Sequence, residues 1–242
     1  MKKIIRNVII FLFGKIKKSK KSRCLFYHDI HSYKKYTDMS TTIDMLEKHI
    51  KTIRENGFEI VKEITKEDGE IAISFDDGWA GVYDNIELIN RLEVPITIFV
   101  ITSLIGSENY MREEQIIELN KSSLINFQSH THTHPDLPLL TEEELVFELS
   151  ESKNILEKIC NKDIDSICFP RGLFSIEIND IAKNVGYKKQ YSSLPGAYSS
   201  EVFPSVKRRS LIQFLSSIQL KSVLRGGDDL LFNRYYKKHF KR

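Results

Sequence analysis

Two clusters of side chains in this 242-residue sequence have the types and spacing to do chemistry together. An apolar run, Ile71-Ala72-Ile73-Ser74-Phe75, ends in Asp76-Asp77-Gly78. Further on, Leu124-Ile125-Asn126-Phe127-Gln128 ends in Ser129-His130-Thr131-His132-Thr133-His134. Two histidines at i and i+4 on an irregular turn can face one point, and a carboxylate from a neighbouring strand completes a two-His, one-Asp face with positions left for water. His130 and His134 have that spacing, with His132 between them facing elsewhere, and Asp77 can supply the oxygen. Asp76 then remains free to accept a proton from a metal-activated water. Taken singly, Asp-Asp-Gly is most often a solvated turn and a histidine pair an ordinary loop feature. Their joint occurrence at two strand ends points to a hydrolytic metal site.

The elements that must position these clusters follow from periodicity. Strands are predicted near Cys24–Tyr27, Phe58–Val61, Ile71–Phe75, Ile96–Ile101, Leu124–Gln128, Ser166–Phe169 and Lys188–Tyr191, with another near Arg209–Ile212. Amphipathic helices fall between most of them. Ile43 to Asn56 is followed by a stopping Gly57, and Thr141 to Cys160 opens with Thr141 and Glu144 in capping-box spacing. Seven or eight short strands with intervening helices predict an α/β fold, a parallel sheet closed or nearly closed into a barrel, in which chemistry gathers where strands end and loops begin.

Composition narrows the function. A net charge of +3 argues against nucleic acid as a partner, and nothing in the sequence predicts a protein partner. Cys24, Cys160 and Cys168 are too few and of the wrong parity for a disulfide framework, which favours a reducing compartment. The organisation expected is a basic, apolar leader over 1–22, one catalytic domain over 23–224, and a basic aromatic tail over 225–242, the two ends being appendages. The leader is too short to span a bilayer and has no small-residue cleavage site after it. It suits either a helix lying on an anionic membrane surface or a frayed basic segment. The expected location is therefore cytoplasmic or peripheral at the membrane of a bacterial envelope, with export and anchoring as the alternative.

Ser74-Phe75-Asp76-Asp77-Gly78 and His130-Thr131-His132-Thr133-His134-Pro135-Asp136-Leu137 resemble the first two motifs of the polysaccharide deacetylase family, also called the NodB homology family or carbohydrate esterase family 4. The resemblance runs from about Leu25 to Ile212. It implies a distorted (β/α) barrel in which Asp76 is the catalytic base and Asp77, His130 and His134 bind a divalent metal, generally zinc (Zn2+). Cys168-Phe169-Pro170-Arg171-Gly172 stands where the third motif falls, and by resemblance the Arg171 amide helps hold the oxyanion. The fourth motif is not recognisable in Tyr191–Gly196. Arg209 lies where related sequences often place an arginine.

The fifth motif of the family, a C-terminal histidine acid, has no match: His239 sits in the basic tail and is expected at the surface. Leu25-Phe26-Tyr27-His28-Asp29-Ile30 offers a substitute. A closed barrel makes its first and last strands neighbours, so a strand moved from one end of the sequence to the other delivers its residue to the same place. Members acting on exported poly-N-acetylglucosamine are similar in this permuted order. His28 is accordingly expected to be the general acid, with Asp29 orienting it or beginning the loop. The implied activity is removal of N-acetyl groups from an N-acetylated glycan or lipid-linked saccharide of the bacterial surface. A barrel that binds carbohydrate without turnover, and a deformylase or other amide C–N hydrolase, are the alternatives.

Overall fold

The computed structural model of the chain describes residues 2–199 and 205–240, with side chains from Ile9 onward. The leader residues Ile4, Ile5 and Val8, as side chains, and Lys241 and Arg242 of the tail lie outside this description.

The chain runs α1 (Lys2–Lys17), β1 (Arg23–Tyr27), β2 (Asp29–His31), β3 (Ser40–Thr42), α2 (Ile43–Glu55), β4 (Glu59–Ile60), β5 (Glu70–Phe75), α3 (Gly81–Asp84), α4 (Ile86–Leu92), β6 (Ile96–Val100), α5 (Glu113–Leu119), β7 (Ile125–Ser129), α6 (Glu142–Cys160), β8 (Ser166–Cys168), α7 (Ile176–Val185), β9 (Lys189–Tyr191), β10 (Val206–Lys207), β11 (Arg209–Leu211), α8 (Ser217–Leu224) and α9 (Phe232–His239). Local chemistry sets the helix starts. Thr42 caps α2, and Thr141 with Glu144 forms the capping box of α6. Leu46, Ile50 and Ile53 of α2 and Leu145, Leu149 and Leu156 of α6 turn inward at helical intervals to meet the buried strands.

Every pairing in the main sheet is parallel, in the order β10-β9-β8-β7-β6-β5-β1-β11, with β4 added beside β5. The two ends of that order, β10 and β11, are one stretch of chain interrupted only at Arg208. Val206 pairs with Gln190 of β9, and Arg209 pairs with Cys24 of β1. One interrupted strand therefore pairs with both ends of the sheet and closes it into a barrel of seven staves among the described residues. Parallel staves sandwiched between a packed interior and outer helices are buried on both faces, which is why β1, with all five residues buried, reads as an unbroken apolar run after Arg23. All three cysteines are free and buried.

The leader and tail are packed onto the domain, contrary to their reading as appendages. Gly14 of α1 is buried against α8, so close that a Cβ there would stand 2.7 Å from the Ser222 carbonyl oxygen. The fully buried Arg23 donates to Asp228 (3.0 Å) and Asp229 (3.1 Å), and Lys17 reaches the second oxygen of Asp229. A short stretch after α8 is thereby tied to the first stave. Arg23→Met would leave the Asp228 carboxylate buried without its counter-charge. It should cost about 3–5 kcal/mol of stability, seen as a fall in the midpoint of denaturant unfolding. An unchanged midpoint would show that the clasp does not hold the fold.

Candidate active site

Strand register brings the chemistry to one end of the barrel. Tyr27 lies opposite Phe75, Phe75 opposite Ile98, and Val100 opposite Ser129. His28, Asp76 and His130 are each the residue after a stave, and all three border one cavity of about 370 Å³ together with Asp77, His134, Arg171 and Arg209.

Left-handed backbone turns the two acids apart. Asp77 has φ 77° and Gly78 φ 87°, and the Asp77 carbonyl accepts from the Ile101 amide. Trp79 Nε1 donates to Asp77 Oδ2 at 3.0 Å, and the indole stacks on Tyr110. The free oxygen, Oδ1, lies 3.4 Å from His130 Nε2. The histidine loop is equally constrained, with Thr131 and His134 at φ 67° and 62°. The buried Glu148 of α6 clamps it by accepting from the amides of His132 (2.9 Å) and Thr133 (2.8 Å) and from the Thr133 hydroxyl (2.6 Å). His132 turns away, its Nδ1 on Thr102 and its ring edge on Phe147.

These residues fit a metal. Ligand atoms of Asp77, His130 and His134 lie within 4.8 Å of one another. Two ligands each ~2.1 Å from a tetrahedral ion stand ~3.4 Å apart, which matches the Asp77–His130 separation. His130 Nδ1 donates to the Cys168 carbonyl at 2.7 Å, so its Nε2 lone pair faces the site, the outer-sphere arrangement usual for a metal-bound imidazole. Burial and the neighbouring His130 lower His134 to about 4, keeping it in the neutral form that ligates. Asp76, His130 and Cys168 also approach one another, but there Asp76 is held by the Arg209 guanidinium, and burial raises the Cys168 thiol pKa.

Asp76 is held by Arg209. The guanidinium meets both carboxylate oxygens, Nη1 to Oδ1 at 2.7 Å and Nη2 to Oδ2 at 2.8 Å, with both residues buried. Burial alone would raise the Asp76 pKa, but the Arg209 charge outweighs it and holds the group below the ordinary carboxylate range. Arg209, which sequence reasoning noted without assigning, is therefore the partner of the candidate base.

His28 Nδ1 faces Gln213 Oε1 at 2.8 Å, which sets a proton on Nδ1 and turns Nε2 to the cavity. Asp29 does not orient it. That carboxyl is sealed from water at the start of β2, and both its oxygens lie beside Gly81, too close for any Cβ there. Burial raises it to about 7.

Arg171 sits on a left-handed turn (φ 54°) followed by Gly172 (φ 68°). No hydrogen bond from its amide to the protein occurs among the described residues, while its exposed guanidinium pairs with Asp136 just after the histidine loop. The turn is fastened by the tail. The Ser193 hydroxyl lies 3.3 Å from the Arg171 carbonyl and 3.0 Å from His239 Nδ1, and the Phe174 amide donates to the His239 carbonyl. His239, expected at the surface, is buried at the cavity wall. Phe240 packs against Phe174 and folds α9 inward, which its basic composition concealed.

A closed parallel barrel with an Asp-His-His face and a guanidinium-held carboxylate at its strand ends defines a class of metal-assisted hydrolase folds. The chain belongs to the polysaccharide deacetylase family, whose sequence model matches residues 63–189. It is 28% identical over 198 residues to the Bacillus subtilis protein YxkH, whose name places it among polysaccharide deacetylases, covering 77% of this chain and 70% of that one. It is 25% identical over 190 residues to the poly-beta-1,6-N-acetyl-D-glucosamine N-deacetylase of Staphylococcus aureus, covering 69% of this chain and 66% of that enzyme. The fold is shared with the Streptococcus pyogenes deacetylase PplD solved with acetate (TM-score 0.74, 22% identity, 84% of this chain and 98% of that one). It is shared also with IcaB from Ammonifex degensii (TM-score 0.75, 17% identity, 86% and 99%).

Two consequences are measurable. Gly172→Ala would place a Cβ 2.0 Å from the Ser193 hydroxyl oxygen in a left-handed conformation. The displaced turn should lower kcat by ~100-fold with metal content unchanged; undiminished kcat would dissociate this turn from turnover. For Asp29, the raised folded pKa means that its stabilising contribution is complete below the unfolded pKa of ~3.9 and is lost as pH rises through about 7. Asp29→Asn removes that loss, so it should melt above the wild type near pH ~8, with the gap closing toward pH ~4. A gap independent of pH would refute the buried-proton account.

Proposed function

We propose that this protein is a metal-dependent N-deacetylase of amino sugars in a bacterial surface glycan or its lipid-linked precursor, a member of the family with its acid histidine at the N-terminal strand. The observation that carries the reading is the division of labour between adjacent aspartates. Asp76 is saturated by Arg209, while Asp77 is turned by Trp79 toward two imidazoles.

Asp77, His130 and His134 would hold the ion, for which this mixed nitrogen and oxygen donor set suits zinc. Bound there, such an ion supplies Lewis acidity toward the acyl oxygen and toward water. The remaining steps belong to the chain. Asp76, kept ionised by Arg209, accepts a proton from the attacking water. The Arg171 amide donates to the oxygen on which negative charge develops. His28, fixed through Nδ1 by Gln213, delivers a proton from Nε2 to the departing nitrogen, leaving acetate and a free amine. β1 and β11 are neighbours, which supports exchanging a last-strand histidine for a first-strand one.

The assignment makes opposite demands on adjacent residues. Asp76→Asn should keep stoichiometric metal and lose turnover by ~100-fold or more, whereas Asp77→Ala and His130→Ala should lose the metal itself. Metal content by atomic emission and acetate release from N-acetylated chito-oligosaccharides separate the two. Native turnover by Asp76→Asn, or full metal retention by Asp77→Ala, would remove the basis of the reading.

A further inference from the structure

We propose that the outward face of α1 docks on an anionic lipid bilayer and holds the mouth of the catalytic cavity at that surface. Opposite sides of this helix have different surroundings. Ile10 borders the catalytic cavity beside Leu215 and Val223, Gly14 is pressed against Ser222, and Lys17 is clasped by Asp229. The helix is thus fixed to the domain. Its other side presents Ile9, Leu12, Phe13 and Ile16, at i, i+3, i+4 and i+7, with 47%, 53%, 36% and 79% of their surface exposed. A stripe of four large apolar side chains on a fixed helix is not the scattered exposure common on soluble surfaces.

Charge selects the occupant. Nine cationic residues, from Lys2 to Arg23, precede the first acidic residue of the sequence, Asp29, and of these Lys17, Lys21 and Arg23 are paired within the fold. Lys15 and Lys18 are exposed next to the stripe. A second copy of the chain would set these cations against their like, whereas an anionic bilayer accepts both the apolar stripe and the lysines. Among the described residues no helix is long and apolar enough to cross a membrane, so the helix would lie in the plane of the interface. Because Ile10 on its inner side is part of the cavity wall, an amino sugar carried on a lipid would meet the site where it emerges from the bilayer. This last step rests on the deacetylase reading.

The full chain should co-sediment with phosphatidylcholine vesicles containing phosphatidylglycerol, weakly with phosphatidylcholine alone, and less as salt is raised. Leu12→Glu combined with Ile16→Glu changes only exposed positions and should weaken partitioning by ~tenfold or more, with the melting midpoint and acetate release from soluble chito-oligosaccharides retained. The same variant should deacetylate a lipid-anchored N-acetylglucosamine in those vesicles more slowly than the wild type does. Absence of wild-type binding, equal binding by the variant, or a wild-type dimer that the variant converts to monomer would overturn the docking. Equal turnover of the anchored substrate by both proteins would overturn the presentation step. Binding without turnover of any substrate would count against the deacetylase reading and leave the docking standing.

Discussion

The ion pair between Arg209 and Asp76 is the contact on which the site depends. It joins β11 to the end of β5, two staves that are not neighbours but flank β1 from either side. Burying a guanidinium and a carboxylate is costly, and the cost is offset only when every donor finds an acceptor. Here Nε meets the Ser192 carbonyl, Nη1 meets Ser74 and Asp76, and Nη2 meets Asp76 and the Cys168 sulfur. The Phe26 and Phe99 rings cover the guanidinium. One side chain thereby registers β11, β5, the end of β8 and the loop after β9. The same contact removes Asp76 from competition for a cation and leaves that part to Asp77.

The candidate metal-binding face of Asp77, His130 and His134 stores backbone strain, and the surrounding residues show what opposes it. Asp77, Thr131 and His134 all adopt left-handed conformations that side-chain-bearing residues rarely take. None of these turns stands unsupported. Trp79 holds Asp77, Glu148 collects the amides of His132 and Thr133, and the Thr131 hydroxyl accepts from the His134 amide. The proton affinity of His130 has the same origin. Burial disfavours its charged form, yet Cys168 and the Asp77 carboxylate raise its pKa well above the ordinary value.

Strands and the acid and histidine clusters at their ends were legible in the sequence because both are local. The staves β1, β5, β6 and β7 contain short apolar runs, and Asp-Asp-Gly and His-x-x-x-His carry their geometry in a few consecutive residues. What escaped was the support, which arises from closure. Gln213, the partner of His28, lies beyond the final stave and meets the first only because the sheet closes. Glu148 had a readable signal, since it falls on the buried stripe of α6 with Leu145, Leu149 and Ser152, where a charge requires a partner. His239 had none: its helix is basic, and its burial follows from Phe240 packing on Phe174.

Most of the site and the shape of its wall come from different parts of the chain, although His28 and Arg209 reach the strand ends from outside the segment that matches the family. The aspartates, the histidine pair and the Arg171 turn fall within residues 63–189, the segment that matches the family. The opposite wall of the cavity is made by Ile10 of α1, Leu215, Val223 of α8, and Leu231 and Tyr235 of the tail, all outside that segment. This outer wall packs on the strand ends without supplying the candidate metal ligands or the candidate base. On the deacetylase reading proposed above, this wall is the part able to discriminate among glycans: its apolar side chains bear on what the amino sugar is attached to, while the strand ends act on its nitrogen.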